Sequence, residues 1–379
     1  MIKVTQVVNA RQRKEFIDFP LELYRGNRYF VPPLYGDEKK IFTTNNIYAD
    51  TCESVFFLAY RDGTPVGRIS GIIQKAANRK SGEKRVRFTR FDCIEDFDVA
   101  KALFKALEEW ASSKGMDTVC GPLGYSDLER EGLLVDGFDQ LSTFEEQYNY
   151  EYYGGFIEKL GYKKEVDWYE FKLHLPEKEK REEVYKLSEY VMKRYKLHYG
   201  EAENVRDFIN KYADGFFELL DRSYDDLYGT VPFTESMKKM IISNFILLVD
   251  LEHVAVVLDE NDRLVCLGVC FPSIAEAVQS SGGHLTPATI LNIFRSKRKP
   301  KIIDLGLVGV DAEYINKGIP AIVCARIMDM LQKDGIDHIE TNLNLENNYS
   351  ILNMWKRFDC VRHKQRRAYV KTLQPDSMR

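Results

Sequence analysis

Strand-like and helix-like segments follow the same order twice in this chain, about 180 residues apart. In each half a helical region leads to a hairpin, which is followed by a strand, a helix and further strands. The two hairpins lie at residues 55–73 and 253–271, and the first contains Asp62-Gly63, a frequent hairpin turn. Alternating strands and helices favour a mixed α/β fold, and a repeat this long indicates two domains rather than a solenoid.

The boundary between the two halves is marked by Pro176 and the charged run at residues 177–183. Such a run is typical of a solvated linker or of a first helical turn. We therefore predict domains at residues 1–175 and 176–379. The length of 379 residues agrees with two domains of ordinary size.

Composition excludes several classes of protein. With 54 basic and 58 acidic side chains the net charge is −4, which excludes a surface built throughout to bind polyanions. No apolar run reaches the roughly 18–20 residues of a membrane helix, no signal peptide is evident, and seven cysteines lack framework spacing. We expect a cytoplasmic protein with reduced thiols and no membrane partner, and nucleic acid is not favoured. The basic cluster Arg295–Lys301 is interpreted as a solvated edge, with a phosphate contact as the alternative.

The segment from Ile303 to Pro320 is the most informative about chemistry. A buried strand ends near Val310, and a short loop containing Gly318 opens directly onto a helix. Unpaired backbone N–H groups and the positive end of a helix dipole suit such a loop to phosphate. The loop contains neither the dinucleotide-binding nor the Walker glycine pattern.

This segment resembles the GCN5-related N-acetyltransferase (GNAT) superfamily, whose fourth strand ends in V-x-x-x-[YW]-R-G-x-G-x-[GA]. Val310 and Tyr314–Pro320 follow that order, and Asn348–Cys360 resembles the family's N-x-x-A-x-x-x-Y-x-x-x-G-F helix. The resemblance implies an α/β (α+β) fold of two tandem acyl-CoA N-acyltransferase-like domains, each a twisted, mostly antiparallel sheet flanked by helices. The first half is similar to two-domain bacterial acetyltransferase-like proteins. Its matching loop is degenerate, because acids, among them Glu95 and Asp96, replace the glycines.

The resemblance also implies a cofactor, acetyl-CoA or another acyl-CoA, held in the second domain. In this family the fourth and fifth strands splay apart and form the slot that holds the pantetheine arm of the cofactor. The resemblance therefore implies such a splay here. The residues expected to contact the cofactor are Val308, Val310, Asn316, Lys317, Gly318, Ile319 and Asn348.

Acyl transfer to an amine needs a base and a proton donor for the departing thiolate. Glu340 and Asp304 lie on the strands that flank the expected cleft and are the candidate bases, an ion pair being the alternative. Tyr349, next to Asn348, is the candidate donor, with packing as the alternative. The six histidines show no metal-binding spacing, so no metal site is expected.

Departures from the family pattern leave the function open. Ile315 and Pro320 replace usual loop residues, and Trp355 stands where a tyrosine often protonates the thiolate. The first hypothesis is acyl-CoA-dependent N-acyl transfer to an unknown small-molecule or peptide amine. The alternatives are an inactive GNAT-like binding or scaffold protein, and aminoacyl transfer as in peptidoglycan-bridge enzymes.

Aromatic residues are abundant, with 22 Tyr and 22 Phe. Packing explains most of them. Two groups, Tyr148–Tyr153 and Tyr224–Tyr228, are predicted to line an acceptor groove.

Overall fold

The computed structural model describes residues 1–224, 227–333 and 335–373. Its strands are β1 (Ile2–Gln6), β2 (Cys52–Arg61), β3 (Thr64–Gln74), β4 (Arg85–Cys93), β5 (Thr118–Gly121), β6 (Leu133–Asp136), β7 (Lys163–His174), β8 (His198–Tyr199), β9 (Val254–Leu258), β10 (Leu264–Pro272), β11 (Ile302–Val310), β12 (His338–Thr341), β13 (Asn344–Leu345) and β14 (Asp359–Thr372). Its α-helices are α1 (Ala10–Leu23), α2 (Tyr35–Lys40), α3 (Lys75–Ser81), α4 (Phe97–Ser113), α5 (Tyr152–Lys159), α6 (Lys178–Arg194), α7 (Val205–Tyr224), α8 (Glu235–Leu248), α9 (Ala275–Ser280), α10 (Pro287–Arg298), α11 (Ile319–Leu331) and α12 (Tyr349–Trp355).

The chain divides into two compact units. The first unit comprises Met1–Trp168, Ala275–Ile290 and the segment from Lys364 onwards, and the second comprises Tyr169–Ile274 and Leu291–His363.

In the first unit, β1 to β5 are neighbours in chain order, and the end of β14 pairs with β5. Every pair is antiparallel except β4 with β5. The β2–β3 turn forms because Asp62 and Gly63 both adopt positive φ, 51° and 83°, as a tight hairpin requires. Helix α4 buries one apolar face, including Leu103 and Leu107, against this sheet.

In the second unit, the sheet order is β7–β12–β11–β10–β9–β8, with β11 and β12 parallel and the other pairings antiparallel. Helix α11 is apolar on nearly every side, from Ile319 to Leu331, and lies in the main core of this unit. Helices α7 and α8 belong to a second apolar cluster that includes β9 and β10.

The predicted fold class is confirmed: both units combine a mostly antiparallel sheet with flanking helices. The apolar run at residues 302–310 predicts a strand, and the structure places β11 there, at Ile302–Val310. The charged run at residues 177–183 lies at the start of α6. Of the two interpretations of this run, a solvated linker and a first helical turn, the structure has the helical turn. The residues between β10 and β11 are interpreted from the sequence as a Ser/Gly-rich insertion and a basic segment, and the structure contains helices α9 and α10 there, which the sequence did not predict. No helix within the described residues combines the length and apolarity needed to cross a bilayer.

Candidate active site

Strands β11 and β12 separate part of the way along β11. Their ladder runs from the pair Ile302–His338 to the pair Leu305–Thr341, and within the described residues no pairing continues beyond it. Strand β11 nevertheless extends to Val310. Past the ladder, the Asn342 side-chain amide lies 3.5 Å from the Gly306 carbonyl oxygen. Residues 306–310 therefore present an edge without a strand partner, called the open edge below.

A β-bulge at Gly306 begins the open edge. Opposite β10, Leu307 pairs with Val269 and Leu305 pairs with Cys270, so Gly306 is an extra residue on β11. A Cβ atom at Gly306 would lie 2.8 Å from the Phe271 ring and 3.3 Å from the Val269 carbonyl oxygen. Only glycine fits without displacing these neighbours. An isolated glycine within a strand is a bulge signal that sequence reasoning missed.

The hydrogen-bond pattern fixes which groups the open edge presents. The Asp311 N–H donates to the Val265 carbonyl at 2.9 Å. Val310 and its register partner on β10, Cys266, therefore form a non-hydrogen-bonded pair. Val308, two residues earlier, forms another such pair with Gly268. In such pairs the N–H and C=O of one residue both point away from the partner strand. Val308 and Val310 thus direct their backbone N–H and C=O groups outward, away from β10.

Side chains from the end of α7 occupy the carbonyls of this edge. The Tyr224 hydroxyl donates to the Val308 carbonyl at 3.2 Å, and the Ser223 hydroxyl donates to the Val310 carbonyl at 3.0 Å. These bonds agree with the outward direction of both residues. Sequence reasoning did not single out Ser223, whose contact arises between segments 87 residues apart.

The loop after the open edge is a short 3₁₀ helix, Ala312–Lys317, that leads into α11. Gly318 joins them with a φ of +87°, and a Cβ atom there would lie 2.8 Å from Val191 of α6. The glycine is therefore required by the backbone and by helix packing. Asn316 is exposed, whereas the Lys317 ammonium lies 4.2 Å from the centre of the Tyr314 ring.

Helix α12 carries three residues that the sequence singled out. The Asn348 side chain caps the helix by accepting a hydrogen bond from the Ile351 N–H at 3.3 Å. Tyr349 follows in the first turn and is 70% exposed. Trp355 is 1% exposed, and its indole N–H donates to the Asn344 side chain at 2.9 Å. Trp355 is thus part of the core.

The two candidate bases lie side by side. Asp304 and Glu340 are register partners on parallel strands, so they share one face of the sheet, and both are buried. A Glu340 carboxylate oxygen lies 3.2 Å from His363 Nε2, and the other oxygen lies 3.8 Å from His338 Nε2. Sequence reasoning did not foresee either histidine as a neighbour of this carboxylate.

Glu340 also belongs to a group of possible metal ligands. One atom each from Glu170, Glu340 and His363 lies within 4.8 Å of the others. The sequence predicted no metal site because histidine spacing was its only signal. These three residues lie on three different strands, far apart in the chain, so no short spacing motif in the sequence indicates the group.

The first unit contains a matching edge whose groups are occupied. The β4–β5 ladder also ends early, at Arg87–Cys120, and the Ile94 N–H donates to the Val66 carbonyl as Asp311 does in the second unit. Cys93 is therefore the counterpart of Val310. Its N–H donates to the buried Tyr153 hydroxyl at 2.9 Å.

Further contacts occupy the same edge of the first unit. The Tyr152 hydroxyl donates to the Cys93 carbonyl at 2.7 Å, and the Leu123 N–H donates to the Phe88 carbonyl at 2.9 Å. Tyr152 is the first residue of α5, the position that Tyr349 holds in α12. The Asp96 carboxylate accepts from the Asp98 N–H and caps α4.

The two tyrosine groups that were predicted to line an acceptor groove have different positions in the structure. Tyr148 and Tyr153 are 7% and 0% exposed and pack within the first unit, so the predicted groove lining is wrong for them. Tyr224 lies on the open edge. Residues 225 and 226, inside the second predicted group, lie outside the described residues.

Two curated proteins are similar to this chain over nearly its whole length. No known protein-family profile matches the chain. It is 26% identical over 385 residues to protein YghO of Escherichia coli K12, covering 98% of this chain and 95% of that protein. It is 25% identical over 386 residues to a protein of Caulobacter vibrioides named bacterial ceramide synthase, covering 98% of each.

Solved structures agree on the fold. A tandem GNAT protein from the clavulanic acid biosynthesis pathway superposes with a TM-score of 0.56 at 11% identity, covering 100% of both chains. A GCN5-related glucosamine N-acetyltransferase region of a fungal multi-domain β-N-acetylglucosaminidase gives 0.55 at 13% identity, covering 98% of this chain and 38% of that one. The chain thus has the fold of the GCN5-related N-acetyltransferases, in its tandem form.

Proposed function

We propose that the chain is an N-acyltransferase that moves an acyl group from acyl-CoA to the amine of a long-chain amino alcohol, and that the second unit carries the reaction. The observation that carries this proposal is the open edge. It combines a strand separation, a bulge at Gly306 and two outward backbone amides with a helix N-terminus at Ile319.

The contrast between the two units supports the choice of the second. In the first unit the buried Tyr153 hydroxyl accepts a hydrogen bond from the Cys93 N–H, so a pantetheine chain would have to displace that bond, whereas the side-chain bonds described on the open edge go to carbonyls. The acids that begin α4 would also repel a pyrophosphate. In the second unit the matching tyrosine, Tyr349, faces solvent.

The residues present fit an acyl-CoA. The amides of Val308 and Val310 would bind the pantetheine arm and polarise the thioester carbonyl, because preorganised N–H groups stabilise the charge that develops on that oxygen. The backbone from Asn316 to Ile319 would hold the pyrophosphate at the start of α11. Acyl-CoA, when bound, supplies the activated acyl group.

Glu340 is the proposed base. An aliphatic amine reaches the enzyme largely as ammonium and must lose a proton before it can attack. Glu340 can receive that proton, and one of its carboxylate oxygens lies 3.2 Å from Nε2 of the neighbouring His363. The C–N bond then forms as the C–S bond breaks, and a tyrosine hydroxyl protonates the departing thiolate. The nitrogen releases its second proton to that tyrosinate, which leaves the amide, the CoA thiol and a protonated Glu340.

Two tyrosines are the proposed sources of the thiolate's proton. Tyr224 already lies on the open edge, with its hydroxyl on the Val308 carbonyl. Tyr349, the residue that the sequence indicated, would have to turn inward from its exposed position. The geometry therefore favours Tyr224.

One observation supports a long-chain acceptor. A ceramide is the amide of a fatty acid and a long-chain amino alcohol, and the relative named bacterial ceramide synthase matches the chain over nearly its whole length.

The test is a reaction of the full chain with a long-chain acyl-CoA and a long-chain 2-amino-1,3-diol, followed by mass spectrometry of the amide and by release of free CoA thiol. We expect equal amounts of both products. Glu340→Gln should lower kcat roughly 10²- to 10⁴-fold while CoA binding persists. The exposed Glu252→Gln is the matched control and should leave kcat unchanged. CoA binding without either product, for any amine offered, would instead identify a binding protein.

A further inference from the structure

Apolar side chains are exposed on α8 and on the part of α10 from Leu291 onwards, which belongs to the second unit. On α8, Ile246 and Leu247 are 57% and 42% exposed, and on α10, Leu291 and Phe294 are each 50% exposed. The two helices are tied together because the Lys297 ammonium donates to the Leu247 carbonyl at 2.9 Å. Ile293, on the other side of α10, is buried, so this helix has an inward and an outward apolar face.

The same region is strongly basic although the chain as a whole is acidic. Residues 277–303 contain no Asp or Glu, and neither do residues 236–248 of α8, whose only acid is its first residue, Glu235. The basic residues at the end of α10 and just after it are Arg295, Lys297, Arg298, Lys299 and Lys301. Apart from Lys297, these cations are exposed. Of the acids that follow α8, Asp250 caps the turn at Glu252, and Glu252 pairs with Lys333.

We propose that this apolar–basic surface, formed by Ile246, Leu247, Leu291, Phe294 and the cations of residues 295–301, docks on an anionic phospholipid bilayer. Exposed Leu, Ile and Phe side chains insert among acyl chains, while adjacent Lys and Arg contact phosphate headgroups. A second copy of the chain is a poorer occupant, because two identical basic edges would face each other. This is attachment to a surface and requires no spanning helix.

The proposal goes beyond the proposed function and does not depend on it. A bilayer is nevertheless where a long-chain amino alcohol and its amide product would reside, so docking would bring the second unit to its substrate. Membrane attachment and acyl transfer are measured separately, and either can fail alone.

The test is flotation of the full chain with vesicles of phosphatidylcholine alone or with 30% phosphatidylglycerol. We expect binding to the anionic vesicles, weakened by high salt. Arg298→Glu with Lys299→Glu should lower the partition coefficient roughly 30-fold or more, since each cation near an anionic surface contributes about 1 kcal/mol. The matched control is Lys178→Glu with Lys180→Glu on α6, which changes the net charge equally and should leave binding unchanged.

A second pair of variants tests the apolar part. Phe294→Ser with Leu291→Ser should abolish most binding, whereas Val361→Ser, at a site 49% exposed on β14, should not. Circular dichroism must show that each variant is folded. The proposal is overturned if anionic vesicles do not bind the chain, or if either pair of surface variants binds like its control. Self-association that Phe294→Ser abolishes, in a chain that ignores vesicles, would also overturn it in favour of a second copy.

Discussion

Replacing Gly318 by alanine should destabilise the second unit for two separable reasons. The φ of +87° costs an alanine about 1–2 kcal/mol. The added Cβ would also lie 2.8 Å from Val191 Cγ2, well inside the normal contact distance, and overpacking of this kind costs about 1–3 kcal/mol. Together these predict a loss of about 2–5 kcal/mol in the free energy of unfolding.

Gly335 offers a matched control on the same unit. Its φ is +96°, and an added Cβ would meet no atom within 4 Å, so Gly335→Ala should show the backbone cost alone. Urea unfolding of the full chain measures both variants. Combining Gly318→Ala with Val191→Ala should recover about 1–3 kcal/mol relative to the sum of the single changes, because the clash is removed. Equal losses for Gly318→Ala and Gly335→Ala, with no coupling to Val191, would refute the packing argument.

Two further predictions concern other parts of the chain. Tyr153→Phe leaves the Cys93 N–H without its acceptor, so it should cost about 1–3 kcal/mol in urea unfolding yet leave the acyl-transfer rate of the folded chain unchanged. A slower transfer would show that the first unit takes part. Burial lowers the pKa of His253, and the Lys333 ammonium lowers it further. Unfolding therefore takes up a proton as the pH falls below about 6.5, the ordinary value for histidine, and stability declines there. The unfolding midpoint should fall less between pH 7.5 and 5.5 in His253→Gln, and an unchanged slope would contradict this.

Much of the fold could be predicted because its signals are local. The apolar run of β11 indicated its bounds, the repeated order of strands and helices predicted a mixed α/β fold, and the family resemblance implied its tandem form. Helix α10 was missed because serine, glycine and basic residues around it suggested an insertion. Its start was nevertheless signalled by Thr286-Pro287, where the Thr286 side chain accepts from the Thr289 N–H and the proline occupies the first turn.

The candidate site was predictable only where one segment forms it. The loop from Val310 to Ile319 follows from a strand that runs into a helix. The contact between Glu340 and His363 depends on the pairing of distant strands, and no local pattern encodes it. The same limit applies to the Tyr153 hydroxyl on Cys93, which joins residues 60 positions apart. The bulge at Gly306 could be predicted only in part. The sequence shows a glycine within a strand, but the pairing register between β10 and β11, which makes it a bulge, does not follow from the sequence.

Hydrogen–deuterium exchange of the full chain with and without CoA tests the central claim most directly. The account predicts slower exchange at Val308, Val310 and residues 316–319 when CoA is present, with no change at residues 88–97 of the first unit. Slower exchange at residues 88–97 alone, or no change in either unit at millimolar CoA, would contradict it.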